Sequence, residues 1–429
     1  MDSIKNNLVP QRVYSTTNKN DLPKHLPLVG LGCSSFSSFF SSGGDDEASL
    51  TVDTISKDHP VVIGWVETIR HAVLNRGINL LDTAPWYGHG VSETVIGYAL
   101  DTILSDEGRC DQAQRKRTGS LARSDIIINT KVGRYESDPL KQFDFSYEKT
   151  IQSVERSLKR MNCNYIDVLQ LHDPEFSPSI SQLMIETIPA LLECKRRGWT
   201  RALGLTGYPL DIQHEILVKA ATEFPDDAMV FDQSLVYCHS NLHDMSLFCD
   251  FLPTPEGQEA VDGSTSLITF SDFCQRSQIH LMAAAPLSMG LLTHAGPPAW
   301  HPASAALKTA CVKASTLCEN EGVNISSLAI MYSLSHPSIG CTLLGMKDIN
   351  EVDFAADLAS RFITIDFESE SQKSILDQVL TLKESNVLEK LLDESDGPFS
   401  QLEEEYRWDG RKEASKFWAL VNDVRKRAA

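Results

Sequence analysis

The chain has 429 residues, a formal net charge of −19 and a hydrophobic fraction of 42%. That length suits one large α/β domain of roughly 300 residues with additions, and the apolar fraction supports a sizeable core. The acidic balance argues against a nucleic acid or an anionic membrane surface as partner, since both require a basic face, whereas an anionic cofactor needs only a local pocket.

In chain order, Met1–Asn7 has no apolar stretch of the kind a secretory leader carries, and no window approaches 18 uninterrupted apolar residues, so the expected location is the cytoplasm. Eight short runs rich in Val, Ile and Leu follow: Leu26–Leu31, Ile78–Ala84, Ile126–Val132, Tyr165–His172, Arg201–Thr206, Met229–Asp232, His280–Pro286 and Cys341–Gly345. Near-continuous apolar runs predict parallel strands covered on both faces. Between them lie segments of helical period. Trp65, Val66, Ile69, Ala72 and Val73 repeat at three and four and end at Gly77. A helix after Ser92 carries Val95, Ile96, Ala99 and Leu100. Further helices are predicted over Ser146–Met161, Ile180–Arg197, Asp211–Phe224 and Ser304–Glu321. This alternation predicts a (β/α)₈ TIM barrel over residues 26–362, after a 25-residue N-terminal extension. Polar stretches at 34–58, 105–123 and 251–264 are expected as surface insertions, and residues 363–429 as an acidic helical extension in which Leu382–Leu392 packs one apolar face on the barrel. The ten cysteines are dispersed, with no Cys-x-x-Cys pair, which predicts reduced, mostly buried thiols and no metal site.

In such a barrel the C-terminal ends of the strands converge on one mouth. Asp82 ends the second run, with Tyr87 in the loop after it; Lys131 ends the third and His172 the fourth. Each alone has an ordinary structural explanation, but four unlike ionisable groups at successive strand ends form a coherent set. Tyr87 is the proton donor and acceptor for a carbonyl or hemiacetal oxygen, and a nearby Lys131 ammonium is expected to lower the pKa of its phenol. Asp82 holds the lysine, and His172 orients the substrate oxygen.

These residues sit in motifs that resemble the aldo-keto reductase superfamily: Gly77-Ile78-Asn79-Leu80-Leu81-Asp82-Thr83-Ala84-Pro85-Trp86-Tyr87-Gly88, Asn129-Thr130-Lys131-Val132-Gly133 and Tyr165-Ile166-Asp167-Val168-Leu169-Gln170-Leu171-His172. His172-Asp173-Pro174-Glu175-Phe176, Tyr237-Cys238-His239 and Ala285-Pro286-Leu287-Ser288-Met289-Gly290 are similar to its L-galactose dehydrogenase and D-arabinose 1-dehydrogenase branch. The resemblance implies an NAD(P)-dependent aldose 1-dehydrogenase that oxidises D-arabinose- or L-galactose-type sugars at C1 to the 1,4-lactone, in ascorbate- or erythroascorbate-type synthesis. The alternatives are a broad NADPH-dependent aldehyde or pyridoxal-type reductase and a non-catalytic cofactor-binding regulatory subunit. The resemblance favours NAD and leaves NADP open.

No Gly-x-Gly-x-x-Gly follows the first run, where only Gly30-Leu31-Gly32 stands, so the cofactor is expected across the barrel mouth rather than in a Rossmann site. Pro286, Leu287, Ser288 and Gly290 after the seventh run, and Gly345, Lys347 and Glu351 after the eighth, are the phosphate and ribose candidates. Thr206, Gly207 and Gln233 match the positions that hold the nicotinamide carboxamide in the family. There, however, Thr206-Gly207 stands for the frequent Ser-Asn, and Ala284 for a ring-stacking tyrosine. Cys33, Trp86, Tyr135, Tyr208 and Tyr237 are candidate walls of a sugar pocket. The oligomeric state, monomer or weak dimer, is left open.

Overall fold

A computed structural model describes residues 8–13, 25–37, 50–104, 121–225, 230–249, 251–253, 267–402, 406–408 and 410–428. Most of the three expected insertions, at 38–49, 105–120 and 254–264, lie outside the described residues.

Eight parallel strands close into a barrel: β1 (Val29–Gly32), β2 (Leu80–Asp82), β3 (Ile127–Val132), β4 (Ile166–His172), β5 (Thr200–Gly207), β6 (Gln233–Tyr237), β7 (His280–Ala284) and β8 (Cys341–Gly345). They neighbour one another in chain order, and β8 pairs with β1 through Leu344↔Leu31 and Gly345↔Gly32. Alternate residues point inward. Leu80, Ile127, Leu235, Met282, Cys341 and Leu343 fill the lower interior, while Leu81, Ile128, Leu169, Leu171 and Val236 join the core outside the barrel wall. A short antiparallel ribbon, Gln11–Val13 with His25–Pro27, precedes β1.

Seven of the eight expected strands lie where the apolar runs place them, but the sixth does not. Residues 230–232 lead into the strand, which is Gln233–Tyr237. Its first two residues are polar because Gln233 turns into the barrel and Ser234 donates to Gln213 on the outer helix.

The helices have local causes. α1 (Pro60–Arg76) has proline at its first position, a His59 cap accepting from the Val61 N–H, and Gly77 in the left-handed conformation at its end. α2 is Val91–Ile103. α3 (Tyr147–Arg160) is capped by Ser146, which accepts from the Lys149 N–H. The expected helix over 180–197 is helical from Ile180 to Arg196, with a π-turn inside it. Five residues of π-helix, Leu183–Thr187, precede α4 (Ile188–Arg196), where Pro189 has no N–H to continue the ladder. Then come α5 (Leu210–Glu223), α6 (Phe270–Arg276), α7 (Ala305–Asn320), α8 (Ile325–Leu334) and α9 (Ile349–Ser360).

The C-terminal extension forms α10 (Gln372–Val379), α11 (Leu382–Leu391) and α12 (Gly410–Ala428). Its last part reaches the C-terminal face of the barrel. Trp408 stacks on Tyr208 at 4.8 Å and its backbone N–H donates to the Tyr208 hydroxyl. The Tyr406 carbonyl bonds His243. Phe417 sets its edge on Phe143 and Phe176, themselves stacked at 4.3 Å. The extension thus holds down loops that follow β3, β4, β5 and β6. No helix among the described residues is long and apolar enough to cross a membrane. The nine described cysteines are free.

Candidate active site

Asp82 is the last residue of β2 and Lys131 the inward residue near the end of β3, so parity aims both side chains into the barrel just below its mouth. The Lys131 Nζ donates to Asp82 Oδ1 at 2.5 Å and to the Thr83 carbonyl at 2.8 Å, and lies 3.3 Å from the Tyr87 hydroxyl. Tyr87 opens the short 3₁₀ turn Tyr87–Gly90, in which Gly88 takes a φ of 60°. A methyl group there would meet Ser37 Cβ at 2.9 Å, so this turn depends on glycine both for its conformation and for space. The Tyr87 and His172 rings meet edge-on at 6.3 Å.

The charges follow from burial and partners. Burial opposes the Lys131 charge, but Asp82 and then Tyr87 outweigh it and leave the ammonium more basic than usual. Burial lifts the Tyr87 phenol, and the pull of Lys131 is not enough to bring it back to its ordinary value. The expectation of a phenol made more acidic by its lysine is therefore not met: loss of solvent costs the phenolate more than the ammonium returns, and Asp82 adds to the cost. Burial also brings His172 down to about 3, so its ring is neutral at physiological pH.

A hydrogen-bonded line extends from this centre. The amide of Gln170 donates to Asp82 Oδ2 at 2.8 Å, and Gln233 donates to Gln170 Oε1 at 3.3 Å. Gln170 is buried in the middle of β4, pointing inward. The sequence reading passed over it, although a polar residue two before His172 in an otherwise apolar strand is a detectable signal.

Thr206 pairs in register with His172 and is buried at the end of β5. Beside it, the Glu175 carboxyl occupies the space over Gly207: Oε2 lies 2.7 Å from where a Cβ would stand. Glu175 Oε1 accepts the Tyr208 N–H, whereas Oε2 is buried without a partner. Burial, with help from Asp173, pushes this carboxyl up to about 8. In the loop after β7, Ala285, Ser288, Met289 and Gly290 all have positive φ. The Ser288 hydroxyl is held by His243 Nε2 at 2.8 Å and its N–H by the Ala285 carbonyl, so this side chain faces the protein. Pro286 and Leu287 lead into that turn. After β8, Gly345 lies against Gly32, and Glu351 accepts the Lys347 N–H while its other oxygen stands 3.9 Å from the Lys347 ammonium.

Of the aromatic candidates, Tyr237 and Trp86 are at the mouth. Tyr237 ends β6 in register with Ala284 and is held well above its ordinary pKa by burial, with Tyr87 and Asp173 near. Trp86 carries the Arg134 guanidinium over its ring at 4.1 Å. Tyr208 is packed against Trp408 and His239. Tyr135 is buried toward Ser153 of α3, and Cys33 is wholly buried with its thiol on the Leu31 carbonyl. Both are more deeply buried than Trp86.

The family described as Aldo/keto reductase matches residues 65–242 and 266–369. The sequence is 35% identical over 325 residues to L-galactose dehydrogenase of Arabidopsis thaliana, covering 76% of this chain and 82% of that one. It is 28% identical over 305 residues to D-arabinose 1-dehydrogenase of Saccharomyces cerevisiae, covering 70% and 78%. The solved structure of an aldo-keto reductase from Bacillus halodurans, in its holo form, agrees with a TM-score of 0.54 at 22% identity, covering 90% of this chain and 97% of that one, a likeness of fold.

Proposed function

The chain belongs to the aldo/keto reductase family of oxidoreductases, and from that premise we propose that it oxidises C1 of an aldose of the D-arabinose or L-galactose type to the 1,4-lactone with NAD. The observation that carries the reaction type is the meeting of Tyr87, Lys131, Asp82 and His172 at one rim. The substrate class is supported by the two sugar dehydrogenases above.

The residues present fit a nicotinamide dinucleotide. The partnerless Glu175 Oε2, lying on Gly207 beside Thr206, offers a site for a carboxamide where a larger residue 207 would have supplied one. Gln233 lies one strand further round the wall. Pro286, Leu287 and Gly290 would border the phosphates from the β7 side, with Gly345 and Lys347 from the β8 side. The bound cofactor supplies the hydride acceptor. Glu351 already engages Lys347, and Asp348 caps α9 with its side chain, so the ribose end carries more acid than base. That balance disfavours an additional 2′-phosphate and supports NAD.

In the oxidation, Tyr87 acts as the phenolate, which Lys131 stabilises, and becomes the neutral phenol on taking the proton from the C1 hydroxyl. Asp82 fixes the ammonium, and Gln170 fixes Asp82. Neutral His172 donates a hydrogen bond to the substrate oxygen without competing for its proton. The test is to follow reduced cofactor with a panel of aldoses and both NAD and NADP, and to identify the product. D-arabinose or L-galactose giving lactone with NAD is the expected result. NADPH-driven reduction of simple aldehydes without lactone formation would overturn the sugar assignment. Tyr87→Phe is expected to abolish turnover while leaving cofactor binding nearly intact; retention of more than about a tenth of the rate would remove the tyrosine from its role.

A further inference from the structure

We infer that the Arg134–Asp173 ion pair at the mouth is a substrate-binding element that recognises two adjacent hydroxyl groups, selecting polyhydroxylated carbonyl compounds over plain ones. The inference rests on the hydride-transfer reading above and deepens it.

The pair is placed by the same strand ends as the reacting groups. Arg134 follows Lys131 by three residues, past Gly133 with its φ of 111°. Asp173 directly follows His172. Arg134 Nη1 donates to Asp173 Oδ2 at 2.8 Å, and Asp173 Oδ1 stands 3.6 Å from His172 Nε2. The carboxylate is therefore bonded to the guanidinium and stands beside the imidazole. The guanidinium lies 4.1 Å over the ring of Trp86, the neighbour of Tyr87, with Phe143 at 5.2 Å. A substrate oxygen between Tyr87 and His172 has this pair beside its next carbons.

Asp173 holds a left-handed backbone, φ 50° and ψ 54°, fastened by its N–H to the Thr206 carbonyl at 2.8 Å. Such a conformation is costly for a residue with a side chain, and here it directs the carboxylate beside His172. Stability does not explain the arrangement, because a half-buried ion pair returns little beyond its desolvation cost. The side chains keep exposures of 26% and 17%, so a ligand in the mouth reaches them. Burial works against the Asp173 charge, but Arg134, through its charge and its hydrogen bond, holds it ionised. Arg134 makes no further hydrogen bond to a described residue, and its Nε is buried without one.

A carboxylate oxygen that accepts and a planar guanidinium that donates, fixed side by side, match one hydroxyl that donates and a neighbouring one that accepts. A carbonyl compound without hydroxyls gains nothing there and must desolvate the pair.

The test compares D173N and R134K with the wild-type enzyme on glyceraldehyde and propanal, which differ by two adjacent hydroxyls. Asparagine tolerates the left-handed backbone, and lysine keeps the charge without the fork. The expected result is that the glyceraldehyde-to-propanal ratio of kcat/KM falls about tenfold to a hundredfold in D173N, mainly through KM, and by less in R134K. A ratio within about twofold of wild type, or equal losses on both aldehydes, overturns the inference. Lactone formation from aldoses reads the parent proposal separately. A collapsed ratio without lactone keeps the inference and removes the aldose assignment, and lactone with an unmoved ratio does the reverse. Failure of the wild-type enzyme to turn over either aldehyde overturns the inference, and the parent proposal then stands or falls on lactone formation alone.

Discussion

Lys131→Met separates the structural from the chemical work of the buried lysine. Asp82 and Lys131 have side-chain exposures of only 4% and 2%, and their contact is 2.5 Å. Without the ammonium, the Asp82 carboxylate keeps a single hydrogen bond from Gln170 and loses its counter-charge. Removing one partner of a buried pair costs about 3–5 kcal/mol, much of it the penalty of leaving the other charged. The double variant Asp82→Asn/Lys131→Met removes that penalty, because the asparagine is neutral and still accepts from Gln170. Denaturant unfolding should therefore show a large loss in the single variant and recovery of most of it in the double. Turnover should fall at least a hundredfold in both, since neither has a cation beside the Tyr87 phenol. A single variant as stable as wild type would refute the claim that the pair is mutually dependent. A double variant with near-normal turnover would refute the claim that Tyr87 needs the ammonium.

Three further outcomes follow from other parts of the mouth. Glu351→Gln should narrow the preference for NAD over NADP by about tenfold, because it frees Lys347 and removes a carboxylate; Kd values for both cofactors by fluorescence quenching check this. The raised Glu175 pKa makes stability fall with pH: above the ordinary value near 4.5 the unfolded chain releases a proton that the folded one keeps until about 8. The thermal midpoint of the wild type should thus drop from pH 5 to pH 8 more steeply than that of Glu175→Gln, and parallel curves would show that the carboxyl is not held neutral. Phe417→Ala should raise KM for the sugar severalfold with a smaller effect on kcat, since it loosens the Phe143 and Phe176 loops that flank Arg134 and Asp173; an unchanged KM would limit the extension to a covering role.

The barrel was legible because its strands are buried on both sides and announce themselves by apolarity alone. The exception follows the same rule. β6 begins with Gln233 and Ser234, which bond to Gln170 and Gln213, so a reading by apolarity settles on the approach to the strand and misses the strand. α8 was passed over because it is buried nearly all round and gives no amphipathic alternation. Asp82, Lys131 and His172 were legible because strand ends fix where a side chain points, and Tyr87 was legible through the motif it shares with Asp82. Loop residues carry no such signal. Nothing local distinguishes the half-buried Trp86 from the buried Tyr135 and Cys33. Arg134 and Asp173 are 39 positions apart and meet only through the β3–β4 register, and Trp408 reaches Tyr208 across 200 positions.

The correction to Tyr87 bears on how the site is poised. A phenol lifted above its ordinary value, beside a histidine brought down to about 3, leaves both groups uncharged at neutral pH and able to donate to an oxygen. This resting state suits delivery of a proton in reduction. For oxidation the same phenol must first give its proton up, and the positive charge of the oxidised nicotinamide ring favours that loss in the same sense as Lys131. The rate of sugar oxidation should therefore rise with pH while reduction of a carbonyl falls, the two profiles reflecting one group. If both directions were flat from about pH 6 to about pH 10, the proton would have to pass through some group other than Tyr87.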